Sequence, residues 1–463
     1  MRDIAITLAV FGSLPFILAR PWLGILMWTW LGFMNPHRLA WGFSVNLPFA
    51  MIVALTTLVG IFMSREPRRF SRQPELVLML MFLAWMLVTT IFAFYPSLAW
   101  EQFEKVAKVF LMIFVATLLI NTKQRLIALV AVMALSIGFF GVKGGIFTIL
   151  TGGGFHVRGP DRSFIGGNNE IGLALCMTLP LLYYLRQIAT HTLLRLAALG
   201  AVLLTVVAAL GTQSRGALVG LVAVGTFLWL KSHQKVQIGL LIVFSVLVFV
   251  PFMPEAWVER MQTIRTYQDD ASAMGRVNAW GMAFNLASAR LLGGGFNTFQ
   301  EAQFVQYAPD PRYMADSHSI YFEVLGEHGF LGLALFLLIA LFTWFSASGV
   351  IRKCKGVAEL KWLGDLMAMT QVSLVAYLVG GAFLGLAYFD YFYNLVLVVA
   401  IAKDLVASRR PAVIVESAPR DRRRVGARMG SSPASTLSAG NGDLAPPTAQ
   451  DEFAHRGQGG AGR

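Results

Sequence analysis

At 463 residues, with 56% hydrophobic and 14% charged side chains, the chain carries too few charges to cover the surface of a soluble protein of its size. Its 38 basic residues against 25 acidic ones leave a net charge of +13. Its two cysteines, Cys176 in an apolar run and Cys354 in a basic loop, suggest neither a disulfide frame nor a metal site. The class that remains is an all-α integral membrane protein.

A span needs about 20 apolar residues, and the runs that qualify are separated here by short charged loops. Met1-Arg2-Asp3 leads into apolar sequence with no small-residue cleavage pattern before Arg20-Pro21, so no cleaved signal is expected. Ile4–Leu18 and Trp22–Met34 are each short, and they read either as two short spans or as one span broken at Arg20-Pro21. Further spans are predicted at Leu47–Met63, Leu76–Phe94, Val106–Ile120, Leu126–Leu150, Ile171–Leu185, Leu196–Leu210, Ala217–Leu230, Ile238–Phe252, Ile320–Phe345, Leu363–Leu386 and Tyr391–Leu405. The total is about twelve if the first 34 residues cross an odd number of times.

The loops alternate in character. Arg65–Arg72, Asn121–Arg125, Arg186–Arg195, Lys231–Lys235, Arg352–Lys361 and the tail from Arg409 are rich in Lys and Arg, and the positive-inside rule assigns them to the cytoplasm. The organisation expected is helices over 1–253 with an outward loop at 151–168, a long outward loop over 254–318, C-terminal helices over 319–408, and a disordered cytoplasmic tail over 409–463. In the tail, Arg420-Asp421-Arg422-Arg423-Arg424 reads as an anionic-lipid contact. The long outward loop is expected to be helical in part, because Val277, Trp280, Phe284 and Ala287 recur at helical spacing.

The two outward loops carry Arg158, Arg162, Arg260, Arg265, Arg276, Arg290 and Arg312 but no lysine. Arginine's planar fork suits bidentate contacts to phosphate or carboxylate. The plainer alternative is pairing with Glu255, Glu259, Asp269, Asp270, Glu301 and Asp310. Arg215, in the turn Gly211-Thr212-Gln213-Ser214-Arg215-Gly216, has no acidic neighbour in sequence and either snorkels or binds an anion. Gly293-Gly294-Gly295 marks a turn or close approach. There is no Walker-type loop, no His-Glu-x-x-His and no paired carboxylate of the kind that holds Mg²⁺ on a sugar diphosphate. His318 stands where the long polar segment meets an apolar run, at the mouth of a membrane helix, and a histidine there can titrate near neutral pH. The helix N-terminus would lower its pKa and Asp316 would raise it, so the direction stays open.

In order along the chain stand Ser214-Arg215-Gly216, Gly275-Arg276-Val277-Asn278-Ala279-Trp280, Gly293-Gly294-Gly295-Phe296-Asn297, Ser317-His318-Ser319-Ile320-Tyr321 and Gly326-Glu327-His328-Gly329. This set, from about Asn168 to Ala340, resembles the O-antigen ligase and polymerase superfamily. The opening Met34-Asn35-Pro36-His37-Arg38-Leu39-Ala40-Trp41 resembles a branch described as exosortase-associated O-glycosylation ligases. The family often has Asn where Ser319 stands, so no role is carried over to that side chain.

The resemblance implies a fold akin to the C-type membrane glycosyltransferases in the bacterial inner membrane. It also implies transfer of a glycan from undecaprenyl diphosphate to an acceptor hydroxyl, lipid A-core first, at the periplasmic face without metal, nucleotide or other cofactor. No nucleic-acid partner is implied. Arg215 and Arg276 match the family's motif arginines, and His318 is the candidate base. Arg158, Arg162, Arg265 and Tyr321 are candidate substrate contacts, whereas His37 and His328 read as structural and His156 stays open. A polymerase or a protein O-glycosylation ligase of the same superfamily would differ only in acceptor. A transporter or flippase would carry mid-membrane ionisable groups and repeated halves, of which only Lys143 offers a trace.

Overall fold

The computed structural model describes residues 1–64, 70–231, 235–249 and 271–416. The chain divides into two units, Met1–Val413 and Ile414–Arg463, and the first holds the membrane helices up to Lys361–Gly380. The Arg420–Arg424 cluster, the loop residues 65–69 and 232–234, and the segment 250–270 with Glu255, Glu259, Arg260, Arg265 and Asp269-Asp270 lie outside the described residues.

Among the described residues every regular element is a helix. The apolar runs become α1 (Arg2–Ala19), α2 (Trp22–Met34), α3 (Phe49–Met63), α4 (Pro74–Ile91), α5 (Pro96–Leu119), α6 (Lys123–Leu150), α7 (Asn168–Ile188), α8 (Thr192–Gly211), α9 (Arg215–Lys231) and α10 (Lys235–Phe249). After the long loop begins, α11 (Ala271–Ala289) and α12 (Glu301–Tyr307) precede α13 (Ile320–Cys354), α14 (Lys361–Gly380) and α15 (Asp390–Glu416). Among the described residues eight helices are long and apolar enough to cross a membrane, and α2 and α3 are shorter apolar helices. This is a multi-pass membrane protein. The first 34 residues form two helices, interrupted at Arg20-Pro21 because the proline supplies no N–H to continue the ladder.

Several boundaries differ from expectation for physical reasons. Helix α5 begins at Pro96, ten residues before its apolar part, and its polar first half is supported by exposed i,i+4 pairs such as Lys105–Glu101 at 2.8 Å. Cys354 is the buried last residue of α13 and not a loop residue. In α11 the buried side is Asn278, Ala279, Met282, Ala283 and Leu286, while Val277 and Phe284 of the expected stripe are exposed. The α-helical part of α14 stops at Gly380, and a 3-10 turn over Gly381–Phe383 carries the apolar span on to Phe383, three residues short of the expected Leu386. There the close packing of Gly380 on Leu173 and of Gly381 on Ile320 lets irregular backbone enter the core.

Helices α7, α14 and α15 are buried along most of their length, and α1 is the most exposed of the spans. At the ends of α4 and α15 remote from Ile320, Lys403 meets Glu75 at 3.0 Å and Ser346 of α13 at 3.0 Å. The fully buried Glu75 carboxylate is thereby paired through Oε2, and removing Lys403 alone would strand its charge.

Candidate active site at the mouth of α13

Helix α13 opens with Ser319 as its N-cap residue, and His318 immediately before it has φ +40°. Histidine tolerates the left-handed region better than most side chains, yet the conformation persists only where neighbours hold it. They do so here. The Ser317 amide donates to Asp316 Oδ1 at 2.8 Å, and the Trp280 indole donates to the Ser317 carbonyl at 2.8 Å. The Trp280 ring also stacks on Phe322 at 5.0 Å, tying the loop to the first turn of α13.

The Gly275–Trp280 segment of α11 is thus the clamp for this loop. A Cβ at Gly275 would lie 3.3 Å from Ala315, so the glycine lets the loop approach. Asn278 donates to the carbonyls of Asp310 and Tyr313 and accepts from the Asp310 amide at 2.9 Å. Arg276, on the same helix, acts electrostatically on His318.

Half-burial holds the His318 pKa below its ordinary value of 6.5, and Arg276 adds to that effect. Asp316 and Glu170 oppose it. The direction left open by the sequence is therefore downward, because desolvation by the packed loop outweighs the nearest carboxylate.

The irregular stretch after α14 closes the site. A Cβ at Gly385 would lie 3.6 Å from Asp316 Oδ2, 3.6 Å from Glu323 Oε2 and 3.8 Å from His318 Cα. Three parts of the chain therefore meet at one glycine. Non-helical backbone at this depth needs internal partners. The carbonyls of Leu386 and Ala387 accept from Tyr377 at 2.9 and 3.1 Å, Tyr393 also donates to Ala387 at 2.9 Å, and the Ala387 amide donates to Glu323 at 3.0 Å. Beside it lies a cavity of about 360 Å³ lined by Gln102, Ser163, Glu170, Glu323, Gly385 and Tyr388, among others.

Arg215 is the first residue of α9, after Gln213 at φ +54°. The Ser214 hydroxyl caps the helix by accepting from the Ala217 amide at 3.2 Å. The turn is pinned by Asn168, which donates to the Thr212 carbonyl at 3.0 Å, and by Gln213, which donates to Gly153 at 2.9 Å. A guanidinium here adds to the positive end of the helix dipole, an arrangement that favours an anion in front of it. Next to it, Gly216 packs against Phe383 and Leu384, the neighbours of Gly385.

The other candidates fall into distinct places. Arg158 and Arg162 are exposed on the loop whose residues from Ser163 onward line the cavity. Arg265 lies outside the described residues. Tyr321 spends its hydroxyl on the Leu378 carbonyl at 2.7 Å, which leaves only the ring for a substrate. Arg312 pairs with Asp310 at 2.7 Å, and Arg290 binds the Phe92 carbonyl and covers the Phe94 ring at 4.3 Å.

Eleven residues beyond His318, α13 is broken at Gly329, with φ +67° and ψ −173°. The break frees three carbonyls, and each finds a donor. Gly294 N–H bonds Gly326 at 2.9 Å, Gly295 N–H bonds Glu327 at 2.8 Å, and Trp85 Nε1 bonds His328 at 2.8 Å. The glycine run Gly293–Gly295 is a close approach as expected. The Glu327 side chain accepts from the Asn297 amide at 2.7 Å and from Tyr388 at 2.5 Å, and His328 meets Thr89 at 2.7 Å.

Sequence reasoning did not assign roles to Glu170, Glu323 or the Gly385 loop. The signals available were Glu323 and Glu327 at i,i+4 on one helix face, and Gly380-Gly381 with Gly385 inside an otherwise apolar run.

No curated protein matches the chain. Residues 1–190 match a family of unknown function, and residues 199–337 match the O-antigen ligase family. The second match takes in Arg215, Arg276, the Gly293–Gly295 turn and the mouth of α13. The match over residues 199–337 supports the resemblance of this multi-pass membrane chain to the O-antigen ligase and polymerase superfamily.

Proposed function

We propose that the chain moves a glycan from undecaprenyl diphosphate onto an acceptor hydroxyl, lipid A-core in the first instance, at the periplasmic face of the bacterial inner membrane. The observation that carries this reading is His318 held at the mouth of α13, with its pKa lowered and with Arg276 and Glu170 in electrostatic reach. A neutral imidazole can take a proton, and burial keeps it neutral.

In the reaction the acceptor oxygen attacks the anomeric carbon while the bond to the diphosphate oxygen breaks. The hydroxyl proton passes to His318, and the bonding electrons leave with the diphosphate. Arg215 and Arg276 meet the charge that develops on the departing oxygens, with Arg158, Arg162 and the Tyr321 ring as further contacts. Attack opposite the leaving group inverts the anomeric centre. The reaction as written uses no metal, and the fold is akin to that of the C-type membrane glycosyltransferases.

The test incubates purified protein with an undecaprenyl diphosphate-linked glycan and, separately, lipid A-core, a second lipid-linked glycan and a Ser/Thr-containing protein, with chelator present. Glycan appearing on lipid A-core is the expected result. Glycan on either other acceptor replaces the acceptor assignment, and no transfer to any of them overturns the reading. Orientation is checked with single cysteines in a background lacking Cys176 and Cys354. An impermeant reagent should label position 272 and not 232.

A further inference from the structure

Helix α6 carries an exposed lysine on an apolar face. Lys143 shares that face with Phe139, Ile146 and Phe147, at offsets of −4, +3 and +4, and these side chains are 41, 46 and 40% exposed. In a membrane protein such a face meets lipid, where an ammonium is costly unless it finds an anion. Lys143 precedes the end of the helix at Leu150 by about 10 Å of axial rise, and its stem can carry the charge toward the interface.

The neighbourhood is not ordinary helix surface. Gly144 lets Val157 pack on α6, with a Cβ there lying 2.8 Å from Val157 Cγ1, and the Val157 amide donates to the Gly211 carbonyl at 2.9 Å. Exposed Arg158 follows directly, and Gly211 begins the turn that ends at Arg215. From the same loop Phe155, 65% exposed, packs on Phe147 with ring centroids 6.4 Å apart. Two exposed cations and an apolar platform therefore adjoin the turn that presents Arg215.

That combination is complementary to an amphipathic phosphate, with its charge on the cations and its hydrocarbon on the aromatic platform. We propose that Lys143 and Arg158, with Phe139, Ile146, Phe147 and Phe155, dock the diphosphate end and first isoprene units of the lipid-linked donor before it reaches Arg215 and Arg276. The identity of this lipid rests on the donor assigned above. A doubly charged diphosphate gains from two cations where an ordinary phospholipid engages one.

Full-length protein in nanodiscs of zwitterionic lipid is titrated with glycan-free undecaprenyl diphosphate and, in a second arm, with phosphatidylglycerol, and bound lipid is counted by native mass spectrometry. Lys143→Leu, which extends the apolar face, and Lys143→Gln should each weaken undecaprenyl diphosphate binding about fivefold, with Lys143→Arg retaining it and phosphatidylglycerol unaffected. The KM for the lipid-linked donor should rise by the same factor. Undiminished undecaprenyl diphosphate binding in a Lys143→Leu/Arg158→Gln double variant overturns the proposal. So does an equal loss of both lipids, which would make Lys143 a general headgroup contact. Because binding is read without turnover, a wild-type protein that binds this lipid through Lys143 but transfers nothing would sink the proposed function and leave the docking site standing.

Discussion

His318 and His328 stand ten residues apart on one segment, and their surroundings divide them. His318 lies before the first turn of α13, in a left-handed conformation, half-buried, with Asp316, Arg276 and Glu170 acting on its charge. His328 is fully buried at the break in the same helix, bonded to Thr89 and set edge-on to Phe82, Phe296 and Tyr388. One imidazole has a cavity and opposing charges nearby. The other has ring faces and the backbone of a kink. The same segment thus holds a half-buried histidine among opposing charges at its mouth, the place the proposed reaction needs, and a fully packed one at its break.

The largest expected effect breaks the comparison outright. His318→Ala should slow transfer by about 10²–10⁴-fold while the lipid-linked donor still binds, since the arginines are untouched. His328→Ala should cost about 1–3 kcal/mol of stability through its lost partner and leave transfer per folded molecule near normal. Transfer rate and donor binding are measured separately on both variants. Near-normal turnover by His318→Ala, or loss of donor binding alongside loss of rate, would return His318 to a capping or phosphate-contact role.

Next in size are Arg215→Lys and Arg276→Lys, which keep charge but lose the bidentate fork. Each should lower transfer about tenfold or more, for the loss of a charge-assisted bond of about 1.5–3 kcal/mol. Wild-type rates in both variants would reduce these arginines to general electrostatics.

At the break, Gly329→Ala places a side chain in a conformation that only glycine adopts readily, and its Cβ would collide with the Leu291 carbonyl. A stability loss of about 1–3 kcal/mol is expected from the backbone alone, read as a lower midpoint in a thermal melt. An unchanged midpoint would mean that the Gly293–Gly295 contact does not hold the kink.

The smallest effect sharpens the His318 side. Because its folded pKa is lowered, the neutral base persists below pH 6.5, and transfer should rise with pH through an inflection under that value. Conversely, the unfavourable protonation of the folded state should cost stability as pH falls through 6.5. Asp316→Asn removes a group that raises the pKa, so the inflection should move lower still. A move upward, or an inflection at or above 6.5 in the wild type, would contradict the assigned environment.

Much of this was readable from the chain. Apolar runs set the helices because a span must satisfy its backbone internally, and Arg20-Pro21 signalled a break that the structure resolves as two helices. The clamp residues Gly275, Asn278 and Trp280 stood in the ordered motifs, although their partners at Ala315, Asp310, Tyr313 and Ser317 did not follow from spacing.

What the sequence by itself determined is the all-helical membrane class, the resemblance to the O-antigen ligase family over residues 199–337, and the positions of Arg215, Arg276 and His318 along the chain. Only the tertiary structure decided that α14 ends at Gly380, that the Gly385 loop brings Asp316, His318 and Glu323 to one point, and that Glu170 faces the same cavity. The reason is physical. Hydrophobic runs and turn residues act locally, whereas the direction of a pKa shift and the burial of irregular backbone depend on groups more than a hundred residues apart, such as Glu170 and His318, whose approach is set by packing.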